Sequence, residues 1–227
     1  YAAEFKFIRK LGCTGVRIDG PGMMWAARGL DYYVMGRLCA EPDADPADIV
    51  REYTFAFGAA APDIAAFQEA WRKYLSDNTA KINDIYEKST RRWYFHGFHY
   101  ATYAHEIFPA ALLEASRHYL EAAAKQTSGD ATAAAKVDFL RQGLEYAIAS
   151  SRCAALFANP ASSTTARRQA LDNLHSRRNI LPPFAVNPLL LDRIEKAVWS
   201  TAIMKPQGDT QALPEIWLTK PDPEGQG

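Results

Sequence analysis

The sequence has little of what marks several common protein classes. Its three cysteines, Cys13, Cys39 and Cys153, lie far apart and form no CxxC spacing. An odd number cannot complete a disulfide framework, and this spacing does not suit a metal site. We therefore expect three buried thiols that pack as small hydrophobic groups.

The chain also lacks an excess of charge and a long apolar segment. Lys plus Arg number 26, as do Asp plus Glu, so no overall field favours nucleic acid or an anionic membrane. No apolar run reaches the length of about 18 residues that a membrane span requires. The sequence begins at Tyr1 without a recognisable leader, which suggests a processed chain or part of a longer protein.

What is present is the composition of a globular protein. The chain has 227 residues, of which 48% are hydrophobic and 23% charged. This length allows one large or two small domains with a substantial core.

The first 40 residues predict one helix–strand–helix unit. Helical spacing over residues 2–12 ends at Gly12, and residues 14–19 then alternate as a short strand. Helical spacing resumes over residues 26–38, with an apolar face formed by Leu30, Tyr33, Val34 and Leu38. A lone strand leaves its backbone polar groups unpaired, so it pairs with strands from elsewhere or packs irregularly on the remaining helices.

Residues 41–204 predict a bundle of helices. Asp45 followed by Pro46 is an N-cap signal for a helix over residues 46–57, and Asp130 is a second such signal. The other segments predicted as helical are 62–85, 108–125, 131–158, 165–178 and a short one after Asn187. The proline-containing tail, residues 205–227, predicts extended chain. The four arginines in 167–178 predict a solvated face rather than a nucleic-acid site.

One long segment has a familiar pattern. Residues 29–71, "GLDYYVMGRLCAEPDADPADIVREYTFAFGAAAPDIAAFQEAW", combine an apolar helix, an acidic turn, a helix ending in an aromatic residue and Gly, and a further helix after "AAP". Together with the later "LLEASRHYLEAAAK", this pattern resembles the family known as domain of unknown function 4838. The resemblance spans roughly residues 12–150. The chain departs from the family pattern at Cys39 and Ala40, where an apolar residue and Trp are usual.

The resemblance implies a fold and a class of activity. Members of the family resemble glycoside hydrolases with a (β/α)8 barrel and a C-terminal helical domain. On this basis the fold is mainly α, a C-terminal helical bundle preceded by the last α/β unit of a (β/α)8 barrel, which is residues 1–40. The remaining barrel, with most of the catalytic carboxylates, would lie upstream of Tyr1, and the protein would be secreted or periplasmic.

The predicted unit holds three candidate substrate-binding residues at its rim. Asp19 ends the strand, where a barrel places its active-site groups; it binds a sugar hydroxyl or caps its own turn. Arg17 meets a substrate carboxylate or forms a structural ion pair. Trp25 follows a Gly- and Pro-containing loop and either lines a saccharide subsite or packs that loop in place.

A second candidate region is the aromatic stretch 93–105. Its candidate contact residues are Trp93, Tyr94, His96 and His99. Tyr and Trp suit carbohydrate stacking because each has a flat apolar face and a polar edge. Packing between helices is the competing interpretation. No Asp, Glu or Cys accompanies the histidines at a ligand spacing, so we predict no metal site.

Two functions remain open at this point. The first is the C-terminal portion of a carbohydrate-active, glycoside-hydrolase-like enzyme whose helical domain supports the barrel, with an oligo- or polysaccharide substrate and no cofactor. The chain alone is then expected to be inactive, because one strand cannot supply two opposed carboxylates. The second is a non-catalytic helical module for carbohydrate binding, dimerisation or partner docking; assembly into a homo-oligomer fits either function.

Overall fold

A computed structural model describes residues 2–15, 25–89, 102–182, 185–186, 191 and 199. Helix accounts for 82% of these residues and none of them lies in a strand, which confirms the mainly α fold class. Residues 16–19 of the expected strand and the tail lie outside the described residues, as does the expected helix after Asn187 apart from Leu191, which is helical. The domain boundary at residue 40 stays a prediction.

The described part of the chain is a succession of helices. They are α1 (Ala2–Lys10), α2 (Trp25–Ala40), α3 (Pro46–Phe55), a 3-10 turn (Gly58–Ala60), α4 (Ala61–Asp77), α5 (Thr79–Ser89), α6 (Ala104–Ile107), α7 (Ala110–Gln126), α8 (Ala131–Ala158) and α9 (Thr164–Ile180). The 28-residue helix α8 is central, because α2, α6, α7 and α9 all pack against it.

The ends of several helices follow from local chemistry. The Asp45 carboxylate accepts a hydrogen bond from the Ala47 N–H at 2.9 Å, and the Asp130 carboxylate accepts one from the Ala133 N–H at 2.9 Å. Both bonds satisfy donors that the first turn leaves unpaired. Both predicted N-caps are therefore confirmed.

Helix α1 ends where Gly12 predicted a stop. The Gly12 N–H bonds to the Arg9 carbonyl at 2.9 Å, and the Cys13 N–H bonds to the Ile8 carbonyl at 3.3 Å. These two bonds form a Schellman motif, which requires a left-handed residue. Gly12 supplies it with a φ of 84°, a conformation that has no steric cost without a Cβ atom.

The prediction of a single helix over residues 62–85 was wrong. The structure breaks it at Asn78 into α4 and α5. The Asn78 side-chain amide donates to the Tyr74 carbonyl at 2.8 Å, and the Thr79 hydroxyl donates to the Leu75 carbonyl at 2.8 Å. Such side chains compete with helical hydrogen bonds for the backbone, so the break is encoded locally although the apolar spacing runs through it.

The buried face of α2 also differs from the prediction. Of the four expected face residues only Leu38 is buried, whereas Leu30, Tyr33 and Val34 are half-buried. The other buried residues of this helix are Ala26, Gly29, Tyr32 and Met35. The helix carries apolar residues on most of its circumference, so its spacing alone does not select one face.

Two hydrophobic clusters lie against the two halves of α8. The first joins its N-terminal half to the 3-10 turn, α4 and α7; its buried residues are Phe57, Ala60, Ile64, Leu113, Leu120, Ala123, Val137, Leu140 and Leu144. The second joins its C-terminal half to α6 and α9; its buried residues are Ala104, Tyr146, Ala149, Cys153, Ala154, Leu171, Leu174, Val186, Leu191 and Trp199. The buried residues that α8 contributes to the first cluster, Val137, Leu140 and Leu144, recur at helical spacing, and Ile148 packs against the cluster while partly buried.

The expectation of three buried thiols was wrong for two of them. Cys153 is buried in the second cluster, but Cys13 and Cys39 are exposed. Cys13 lies three residues after the end of α1, and Cys39 lies in the last turn of α2. Among the helices of the described residues, none has the length and apolar character needed to cross a membrane.

Candidate functional site

Most of the residues proposed as site residues from the sequence fall outside the described part of the chain. These are Arg17, Asp19, Trp93, Tyr94, His96 and His99. Trp25 is described, and it is the first residue of α2. The surroundings of Trp25 therefore define the candidate site.

The indole of Trp25 is held in place while remaining open to solvent. Trp25 is 45% exposed. Its ring packs edge to face on that of Tyr32, with 4.9 Å between centroids and 70° between planes. This is a favoured geometry for an aromatic pair. Tyr32 lies seven residues further along α2, beyond a kink at Arg28, whose backbone is non-helical (φ −125°, ψ 15°). The ring contact itself therefore positions the indole.

Arg28 contacts the same tyrosine ring. Its guanidinium carbon lies 5.6 Å from the Tyr32 centroid, within the range of a cation–π contact. Its Nε donates to a carboxylate oxygen of Asp31 at 3.3 Å, between side chains that are 46% and 45% exposed. Trp25, Arg28, Asp31 and Tyr32 form what we call the Trp25 platform.

Tyr32 forms the floor of the Trp25 platform. It is 9% exposed, and its hydroxyl has no hydrogen-bond partner. A buried hydroxyl without a partner costs about 1–3 kcal/mol. The ring of Tyr32 therefore stabilises the platform by packing, while its hydroxyl destabilises the fold because it is buried without a hydrogen-bond partner.

The N-terminal end of α2 is anchored to the rest of the bundle. The Ala26 N–H bonds to the Ala185 carbonyl at 3.2 Å. Gly143 of α8 approaches so closely that a Cβ atom there would lie 2.5 Å from the Cβ of Ala26. This contact fixes the residue next to Trp25 against the central helix of the fold.

Further along α2, a polar cluster ties this helix to α3. Arg37 forms ion pairs with Glu52 and, at 3.2 Å, with Glu41. The hydrogen bond between Tyr33 and Glu52 raises the pKa of the Tyr33 hydroxyl. These groups lie at the surface, where ion pairs contribute little to stability, so the cluster orients α3 more than it stabilises it.

A second polar cluster joins α7, α8 and α9 at Glu145. One carboxylate oxygen accepts from Arg117 Nε at 2.9 Å, and the other accepts from Arg177 Nη1 at 3.3 Å. The hydrogen bond to Glu145 raises the pKa of Arg117. A cleft of about 60 Å³ beside this cluster is lined by Arg117, Leu120, Glu121, Arg141, Leu144 and Glu145. Since both oxygens of Glu145 hold arginines, the cluster connects helices and does not resemble a catalytic pair.

The arginines of α9 do not form the solvated face expected from the sequence. Arg178 is buried, and Arg167 donates to the carbonyls of Leu156 and Asn159 at the end of α8. Arg177 bonds to Glu145, and Arg168 is the exposed member of the four. The helix uses its charges to pack on α8, which the one-dimensional charge pattern does not reveal.

The described residues contain no group of three or more His, Cys, Asp or Glu side chains that could hold a metal ion. Sequence reasoning singled out Trp25 but missed Arg28 and Tyr32. Spacing would not have found them, because the regular helical repeat is interrupted at Arg28, whose backbone is non-helical (φ −125°, ψ 15°). Comparisons with family models, curated proteins and solved structures give no match.

Proposed function

We propose that this chain is the helical support portion of a carbohydrate-active, glycoside-hydrolase-like protein, and that Trp25 is a stacking surface for a saccharide. The observation that carries the proposal is the half-exposed indole, buttressed by a buried tyrosine ring. A flat apolar ring with a polar edge matches the apolar face of a pyranose. On this proposal the protein acts outside the cytoplasm, as the resemblance implies.

The rest of the bundle supports this role by its rigidity. The residue after Trp25 packs directly on Gly143 of the central helix α8. Helix α8 in turn borders both hydrophobic clusters. A binding surface fixed to a packed core loses little conformational entropy when a ligand binds.

The catalytic carboxylates are assigned by this proposal to a barrel upstream of Tyr1. Glycoside hydrolysis requires two carboxyl groups on opposite sides of the scissile bond. Glu145, which lines the cleft between α7 and α8, is engaged by two arginines. That engagement favours the second candidate function, a non-catalytic carbohydrate-binding module, for the chain by itself.

Calorimetric titration of the 227-residue chain with cellohexaose, xylohexaose and hexagalacturonate tests the proposal. We expect Trp25→Ala to weaken binding of whichever saccharide binds by about five- to tenfold, the loss of one aromatic contact. Phe55→Ala is the matched control, because Phe55 is also on a helix and is 82% exposed. Circular dichroism checks that both variants fold.

Two results would count against the proposal. One is an absence of binding to all three saccharides, and the other is an equal effect of Trp25→Ala and Phe55→Ala. The enzymatic part is tested separately with aryl glycosides: we expect no turnover by this chain, and turnover by a longer protein that includes the upstream region. No turnover by the longer protein would leave the non-catalytic module as the function.

A further inference from the structure

We propose that the peptide bond between Asp45 and Pro46 is a self-cleavage site: the Asp45 carboxylate cuts this bond in acid when the first turn of α3 opens. The intact fold protects the bond. This inference is independent of the proposed function, because it concerns the connection between α2 and α3 and involves no saccharide. The sequence has a second bond of this type, Asp222–Pro223, which provides a reference for the test.

The chemistry of the bond follows from its two residues. A carboxylate oxygen of Asp45 can attack the carbonyl carbon of the same residue, which closes a five-membered ring. The nitrogen of Pro46 is a tertiary amide nitrogen without a hydrogen, and it takes a proton from solvent more readily than other peptide nitrogens. The carbon–nitrogen bond then breaks with its electron pair on nitrogen, which gives a cyclic anhydride and a free proline amino terminus. One water molecule opens the anhydride and restores the aspartate side chain.

In the folded chain an N-cap bond holds the Asp45 carboxylate away from its own carbonyl carbon. Asp45 is exposed to solvent, and its Oδ1 accepts a hydrogen bond from the Ala47 N–H at 2.9 Å. Its carbonyl oxygen accepts from the N–H groups of Asp48 at 3.0 Å and Ile49 at 3.2 Å. Two donors at this oxygen favour addition to the carbonyl. Addition is reversible, however, and it cannot begin until the N-cap bond breaks and the carboxylate turns.

The fold also retains the leaving nitrogen. Pro46 is the first residue of α3, and Ile49 anchors this helix with a side chain that is only 2% exposed. While α3 stays packed, a freed proline nitrogen remains beside the anhydride and re-forms the amide before water opens the ring, because proximity favours the intramolecular reaction. Net cleavage therefore proceeds from a state in which this turn has opened.

Acid promotes the opening of the turn. The neighbouring carboxylates in the chain are all paired with arginines of α1, α2 or α3; the pairs are Asp43 with Arg9, Glu41 with Arg37 and Asp48 with Arg51. Protonation weakens these pairs, and protonation of Asp45 weakens the N-cap bond. The attack itself requires an ionised carboxylate. Both conditions hold at about pH 4, where an ordinary aspartate side chain is about half ionised.

A cut at this bond divides the chain between α2 and α3 but leaves contacts that join the two fragments. Arg37 of α2 pairs with Glu52 of α3. Ala26 of α2 packs against Gly143 of α8. The cut chain therefore stays together as a particle of two fragments.

The test incubates the 227-residue chain with and without concentrated urea, at the lowest pH at which circular dichroism shows the folded state without urea. Mass spectrometry measures the rates of cleavage at Asp45–Pro46 and Asp222–Pro223. In urea we expect similar rates at the two bonds. Without urea we expect Asp45–Pro46 to be cut at least about fivefold more slowly than in urea, the factor that one N-cap bond contributes.

Two variants separate the nucleophile from the protection. Asp45→Asn keeps a side chain that caps helices but lacks the carboxylate, so cleavage at this bond in urea should be lost while the reference bond is still cut. Ile49→Ala removes the buried anchor of α3 and should raise the rate at Asp45–Pro46 without urea. The rate at the reference bond should not change in this variant.

Three results would overturn the inference. Equal rates at Asp45–Pro46 with and without urea would show that the fold gives no protection. Unchanged cleavage of Asp45→Asn would show that the carboxylate is not the nucleophile. An intact Asp45–Pro46 bond in urea, under conditions that cut the reference bond, would show that this bond is not a cleavage site. Size-exclusion chromatography checks the cut chain: separation of its fragments without urea would overturn the two-fragment particle.

Discussion

We expect an alanine at Gly143 to destabilise the protein and an alanine at Gly36 to stabilise it. Both glycines lie inside helices, where alanine is favoured over glycine by about 1 kcal/mol. A Cβ atom at Gly36 would meet nothing within 4 Å, but one at Gly143 would lie 2.5 Å from the Ala26 Cβ and 3.2 Å from its carbonyl carbon. The two sites therefore differ only in what surrounds the added methyl group.

The size of the effect follows from packing. Carbon atoms at optimal separation are about 3.5–4.0 Å apart, so α2 and α8 must separate by about 1 Å to admit the methyl group. Overpacking of this kind costs about 1–3 kcal/mol. The two variants should thus differ by about 1–3 kcal/mol in free energy of unfolding, or about 2–12 °C in Tm for a chain of this size.

Thermal and urea denaturation, followed by circular dichroism, measure this difference. Because Ala26 adjoins Trp25, Gly143→Ala should also weaken saccharide binding, and Gly36→Ala should not. Adding Ala26→Gly to Gly143→Ala removes the closest contact and should recover part of the lost stability. Equal stabilisation by Gly143→Ala and Gly36→Ala would refute the close packing of α2 on α8.

Three further predictions concern single side chains. Tyr32→Phe removes a buried hydroxyl without a partner, so it should raise the free energy of unfolding in urea by about 1–3 kcal/mol. Glu145→Gln weakens the bonds to Arg117 and Arg177 and should lower it by about 1 kcal/mol. Burial raises the pKa of Tyr53 to about 12, whereas an unfolded tyrosine titrates near pH 10. The unfolded state then loses the tyrosine proton first. The contribution of Tyr53 to the free energy of unfolding is therefore complete below about pH 10 and declines between about pH 10 and 12. The free energy of unfolding of Tyr53→Phe should decline less over this range.

Each of these has its own control. Saccharide binding by Tyr32→Phe should match that of the original chain, because the ring under Trp25 is kept. Glu114→Gln removes a carboxylate from the exposed side of Arg117 and should have a smaller effect than Glu145→Gln; an equal effect would contradict the three-helix role of Glu145. Identical stability profiles of Tyr53→Phe and the original chain between pH 9 and 12 would contradict the burial of this hydroxyl.

The sequence predicted most of the helices because their signals are local. Asp45 and Asp130 cap helices by bonding to N–H groups two or three residues away, and Gly12 ends α1 through bonds within its last turn. The break at Asn78 is equally local. It was missed because the apolar spacing was given more weight than the hydrogen-bonding side chains.

The candidate site was predicted less completely than the fold. Trp25 was chosen for its position after a Gly- and Pro-containing loop, and the structure places its indole in an exposed position. Arg28 and Tyr32 were not among the predicted site residues, because the sequence does not show that Trp25 and Arg28 both contact the ring of Tyr32. When the buried face of a helix is predicted wrongly, the predictions of which side chains lie next to one another are wrong as well.

The sequence by itself determined that this protein is mainly helical and where most of its helices begin and end. These properties depend on interactions within a few residues, which the order of the amino acids specifies directly. The tertiary structure decided which face of α2 is buried, which thiols are exposed and which arginines of α9 reach α8. Those outcomes depend on contacts between distant segments, such as Gly143 against Ala26, and the spacing within one helix carries no information about its neighbour.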